Sequence, residues 1–129
     1  MTEPDLPTPA DVRTIAAAMA HRYGGSSALR DGEALQQTLL RPHLRRHPDV
    51  LSVTASLMEG FELHRPFAQG NHRVMLATAD VFLRLHRHRF TVPQEQLGGE
   101  MVRMLRANAF DHARIDTWLR TVAGPEGVA

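Results

Sequence analysis

The chain has no cysteine among its 129 residues. A disulfide framework, a thiolate metal site and a cysteine nucleophile are therefore excluded, and the fold must rest on packing. Lysine is absent as well, so all 15 basic residues are arginine. That removes Schiff-base chemistry and a lysine-held phosphate, and leaves the guanidinium, which stays charged and grips oxyanions as a planar fork. No apolar run approaches the ~20 residues that cross a bilayer. The opening Met1-Thr2-Glu3-Pro4-Asp5 is acidic and broken by proline, unlike a signal peptide. A cytoplasmic protein with no membrane partner is the expectation. Excess charge is also missing. A formal charge of +1 lacks the strongly basic face that nucleic acid capture requires, so a nucleic acid partner is not expected.

What is present is helical periodicity. The length suits one domain over residues 1–129, with flexible tails at 1–7 and 124–129. Thr8-Pro9 is an N-cap followed by proline at the first helical position. Val12, Ile15, Ala16 and Met19 then recur with helical spacing up to Gly24-Gly25. Asp31 caps a short helix carrying Ala34, Leu35, Thr38 and Leu39, which ends near Pro42. Pro48 opens a third helix with Val50, Val53, Thr54, Leu57, Met58 and Phe61 on one face, which predicts a central position. A fourth helix from about Asn71 to His86 has Val74, Thr78, Val81, Phe82 and Leu85 as its predicted buried stripe. Pro93-Gln94 starts a fifth with Leu97, Met101, Met104 and Leu105, weakened at Gly98-Gly99. Asp111 caps a sixth with Ile115, Trp118, Leu119 and Val122. Phe90-Thr91-Val92 alone hints at extended structure, so the predicted fold class is an all-α bundle of six helices.

Between the third and fourth helices lies Arg65-Pro66-Phe67-Ala68-Gln69-Gly70-Asn71-His72-Arg73. A glycine turn opening onto a helix, with an arginine in the first turn, brings free backbone N–H groups, the helix dipole and a guanidinium together. That combination predicts a phosphate site. Gly70 allows close backbone approach, Asn71 offers its amide, Arg73 offers its fork, and Phe67 anchors the loop.

The same stretch resembles the signature loop of the Fic/Doc family, His-Pro-Phe-x-Asp/Glu-Gly-Asn-x-Arg, with Pro66, Phe67, Gly70, Asn71 and Arg73 in register. Arg22-Tyr23-Gly24-Gly25 followed by Leu29-Arg30-Asp31, and the segment Val81-Phe82-Leu83-Arg84-Leu85, are similar to further stretches of Doc-like (death-on-curing) toxins. The resemblance implies a Fic/Doc helical bundle that binds ATP or another nucleoside triphosphate with Mg²⁺. It also implies transfer of AMP or phosphate to a hydroxyl of a target protein such as a translation factor, with an antitoxin helix as a second partner. The family's base histidine corresponds to Arg65, which cannot accept a proton. Its metal-binding carboxylate corresponds to Gln69, a weak Mg²⁺ ligand, and the Doc-type lysine corresponds to His72. Impaired or altered catalysis follows, because a positioned base is worth roughly 10²–10⁴ in rate. His64 is a candidate shifted base if the loop slips by one residue. The competing expectation is an inactive relative that serves as a nucleotide-binding or protein-interaction module.

Other candidate clusters read as structural. His86-Arg87-His88-Arg89 places its imidazoles two residues apart, on different helix faces, which suits a solvated helix end better than a metal site. The run from Arg41 to His47 reads as a solvated connector. Met58, Met75, Met101, Met104 and Trp118 read as core packing.

Overall fold

The computed structural model describes residues 5–127. It is an all-α fold: α1 (Pro9–Tyr23), α2 (Gly32–Leu40), a 3₁₀ turn (Arg41–Leu44), α3 (Val50–His64), α4 (Asn71–Leu85), α5 (Gln94–Arg106) and α6 (His112–Val122), with a two-stranded antiparallel ribbon of β1 (His88–Phe90) and β2 (Ala123–Pro125). The sequence caps act as read. Thr8 and Asp11 form a reciprocal capping box on α1. Asp31 accepts from the N–H groups of Glu33 and Ala34, and Asp111 accepts from that of Arg114. The cap of α3 is Asp49 rather than Pro48. Its carboxylate accepts from the Ser52 N–H and is also held bidentately by Arg120 of α6, at 2.9 and 3.0 Å.

α3 is the axis of the molecule. Every residue from Leu51 to Phe61 is buried, because α2, α4 and α6 all pack around it, so it buries its full circumference rather than one face. Its buried charge, Glu59, is fully occupied. One carboxylate oxygen meets Arg41 Nε at 2.9 Å and the other accepts from the His112 N–H at the start of α6, also at 2.9 Å. The core draws on all six helices, from Val12 and Ala16 through Leu35, Phe61, Met75, Phe82, Leu97, Met101, Ile115 and Leu119. Phe61, Phe67 and Phe82 are among its largest enclosed side chains; truncating one to alanine costs about 3–5 kcal/mol.

Several expectations change. The buried stripe of α4 runs through Val74, Met75, Thr78, Ala79, Phe82 and Leu83, whereas Val81 and Leu85 are 39% and 73% exposed. The stripe turns toward Met75, Ala79 and Leu83 because α4 packs against both α1 and α3. Trp118 and Met104 are half-buried at the core's edge, and Trp118 Nε1 donates to Glu100 at 3.0 Å. Extended structure begins at His88, where the chain leaves α4 through a left-handed Arg87. Thus His88 and Arg89 lie in a strand, not at a helix end. Its partner is the tail expected to be flexible: Pro125 pairs with His88 and Gly124 with Arg89, and the Glu126 N–H donates to Arg87 O. At the other end Leu6 packs on the core. The rest of the two predicted tails, residues 1–4 and 128–129, lies outside the described residues. The connector after α2 forms the 3₁₀ turn, and His47 bridges Ser52 Oγ and Pro42 O, each at 2.8 Å.

Candidate functional site

The loop from Arg65 to Gly70 is held by backbone pairing to the segment before α2. Leu29 and Phe67 form an isolated antiparallel bridge. The N–H groups of Arg30 and Asp31 donate to Pro66 O, and that of Ala68 donates to Ala28 O at 3.0 Å. The Arg30 side chain finishes the junction. Its Nε donates to Arg65 O at 2.8 Å and its Nη2 to His64 O at 2.6 Å, satisfying carbonyls left open at the end of α3. These bonds hold Arg65 in the left-handed region, at φ 44°, a conformation that costs a non-glycine residue about 1–2 kcal/mol. Phe67 is enclosed in the core, as the sequence suggests.

Gly70 takes the left-handed conformation, at φ 76° and ψ 18°, and starts α4 with no side-chain cap. The first-turn N–H groups of α4 are therefore left to solvent or to a ligand, at the positive end of a helix of 15 residues. They open on a cavity of about 420 Å³ whose far wall is the end of α1 and the Gly24–Ser27 turn. Among the described residues no carboxylate lines it, whereas the side chains of Arg65, His72 and Arg73 belong to residues that do. Arg73 has no ion pair among the described residues. Its guanidinium sits 4.8 Å from the centroid of the Tyr23 ring, and Arg22 approaches the same ring at 5.4 Å. Arg73 also borders a second hollow, of about 340 Å³.

The predicted site residues divide sharply. Gly70 and Arg73 both line the cavity, and the Arg73 guanidinium rests against Tyr23 on the side of the second hollow. The Asn71 side chain is instead spent on the loop: its Oδ1 accepts from the Phe67 N–H at 3.0 Å and its Nδ2 donates to Phe67 O at 2.9 Å. Gln69 lies across the Gly24-Gly25 turn, its Oε1 only 2.7 Å from where a Cβ on Gly25 would sit. The exposed Gln69 tip can swing away, so it is the φ of 91° that favours glycine at position 25. His64 does not line the cavity. Burial and, secondarily, the charge of Arg41 hold its imidazole below its ordinary value near 6.5. The slipped-loop role fails on geometry, because α3 runs unbroken to His64 and Arg30 fastens its carbonyl.

Sequence reasoning missed Glu62. Its Oε1 binds Arg65 Nη2 at 2.9 Å, and its Oε2 lies 2.8 Å from His72 Nε2. The sole hint in the sequence is its place three residues before Arg65. The link to His72 spans the whole loop. Because Glu62 is absent from the cavity lining and engaged on both oxygens, the donor set does not fit a carboxylate-held Mg²⁺. Among the described residues no three His, Asp or Glu side chains converge in a metal-holding group, and no helix is long and apolar enough to cross a membrane. The chain matches no protein-family model, and no curated protein matches it.

Proposed function

We propose that this protein is a Doc-like, nucleoside-triphosphate-dependent transferase that modifies a hydroxyl of a target protein, with chemistry altered at Arg65 and Gln69. The observation that carries the reading is the cavity at the start of α4. An uncapped helix N-terminus behind a left-handed glycine, a guanidinium without an ion pair among the described residues, and a lining without carboxylates together suit a polyphosphate. The motif resemblance supplies the reaction class and the kinds of partner, a target protein and an inhibitory antitoxin helix. A binding module without transfer is the second reading, favoured by the guanidinium that stands where the family places its base.

The test is calorimetric titration with ATP and GTP, with and without Mg²⁺, of the wild type and of Arg73→Ala. Removing one charge-assisted clamp worth about 1.5–3 kcal/mol should weaken binding roughly 10- to 150-fold. Binding should depend little on Mg²⁺. No binding by the wild type, or identical affinity in Arg73→Ala, would sink the nucleotide-site reading.

A further inference from the structure

Arg65, Glu62 and His72 form a continuous side-chain relay that meets the cavity at Arg65 and His72, with Glu62 behind the wall, and we infer that His72 is the general base of the site, with Glu62 and Arg65 as positioning residues. The inference rests on the transferase reading above. Glu62 Oε2 and His72 Nε2 are 2.8 Å apart, whereas Arg65 Nη2 and the same nitrogen are 3.5 Å apart. The shorter contact decides the tautomer. A carboxylate only accepts, so Nε2 carries the hydrogen and Nδ1 of the neutral ring carries the lone pair. Among the described residues Nδ1 has no partner, and His72 lines the cavity one residue from Arg73. Arg65 bonds the other carboxylate oxygen at 2.9 Å and so fixes the plane from which Glu62 orients the imidazole.

This is the logic of a carboxylate–imidazole pair, in which the acid holds the ring and stabilises the charge it gains. It also gives Arg65 a task that an always-protonated group can perform. In the transfer step the target's hydroxyl oxygen forms a bond to a phosphorus of the nucleoside triphosphate as its proton passes to His72 Nδ1. The bond from that phosphorus to its bridging oxygen breaks, and the leaving phosphate group departs with the electron pair. The imidazolium then returns its proton to the leaving group or to water.

The experiment uses the full chain, ATP labelled at the α or γ phosphate, and a cell extract as the source of the acceptor. ATP affinity is measured by calorimetry on the same preparations. His72→Gln should lower the labelling rate at least 100-fold while ATP affinity stays within about threefold. Added imidazole should restore part of the activity of His72→Ala, which a merely structural role would not produce. Glu62→Gln should lower kcat about tenfold with KM for ATP unchanged. A wild type that binds ATP without labelling, or a His72→Gln variant that labels at the wild-type rate, overturns the assignment of the base and leaves the nucleotide site standing. A wild type that does not bind ATP removes the transferase reading and this inference together.

Discussion

Asn71 separates two accounts of the loop, because an amide aimed at a ligand and an amide holding the backbone respond differently to removal. In the structure it makes a reciprocal pair with Phe67, accepting from the N–H at 3.0 Å and donating to the carbonyl at 2.9 Å. Asn71→Ala deletes both bonds. Each contributes about 1 kcal/mol net. The two Phe67 backbone groups are then left beside a buried ring, although the neighbouring Ala68, Gln69 and Gly70 are exposed and water can reach part of the loop. The desolvation penalty therefore falls at the low end of its 1–3 kcal/mol range, and the total loss is about 2–3 kcal/mol. Urea unfolding should show that loss, with Tm falling by roughly 8 °C. Amide hydrogen exchange at Phe67 should accelerate from a protected to a nearly open rate. ATP binding should weaken as a consequence of loop disorder. Full wild-type stability together with lost ATP binding would refute the staple and return Asn71 to the ligand.

Two further outcomes follow from buried groups. Thr78 Oγ1 is enclosed in α4 with no hydrogen-bond partner among the described residues, so Thr78→Val, which trades an unpaired hydroxyl for a methyl of the same shape, should stabilise the protein by about 1 kcal/mol and raise Tm by roughly 3 °C, read by calorimetry. His64 is held below its ordinary 6.5 in the folded state. The unfolded chain therefore binds its proton first as pH falls, and stability should decline from about pH 6.5 down through the lower folded value. His64→Gln should flatten that part of the stability–pH curve measured by urea titration, and an unchanged slope would refute the desolvated placement.

How much was legible depends on where the deciding information lies. The caps at Thr8, Asp31 and Asp111 act within three residues of themselves, and all three were readable. α2 carries its apolar residues on one side apart from the exposed Leu40 at its end, so Ala34, Leu35, Thr38 and Leu39 are all buried as expected. α4 is apolar at Val74, Met75, Leu76, Val81, Phe82, Leu83 and Leu85, nearly around its circumference. Periodicity cannot choose a face there, and packing against α1 and α3 does. β1 was displaced because its partner is a Gly-Pro tail with no strand propensity, so the pairing exists only in three dimensions. In the site, Gly70 sets the helix start and Arg73 sits in its first turn, both placements that local sequence encodes. Glu62 reaches His72 across the loop only because Arg65 turns left-handed, and Arg30, distant in the chain, helps to hold it there.

That difference bears on what a motif match can mean. The backbone of this loop is shaped by a glycine turn, the Asn71–Phe67 staple, the Arg30 bonds and the first turn of α4, none of which depends on the side chain at position 65. Proton handling depends on side chains alone. A loop built this way can exchange its side chains while its backbone stays fixed. Pro66, Phe67, Gly70 and Asn71 therefore report the loop's shape, and the proposed reaction must be argued from Glu62, Arg65 and His72. Arg65 illustrates the point. Its guanidinium cannot serve as a base, yet its bond to Glu62 fixes the carboxylate beside the one imidazole that lines the cavity among the described residues.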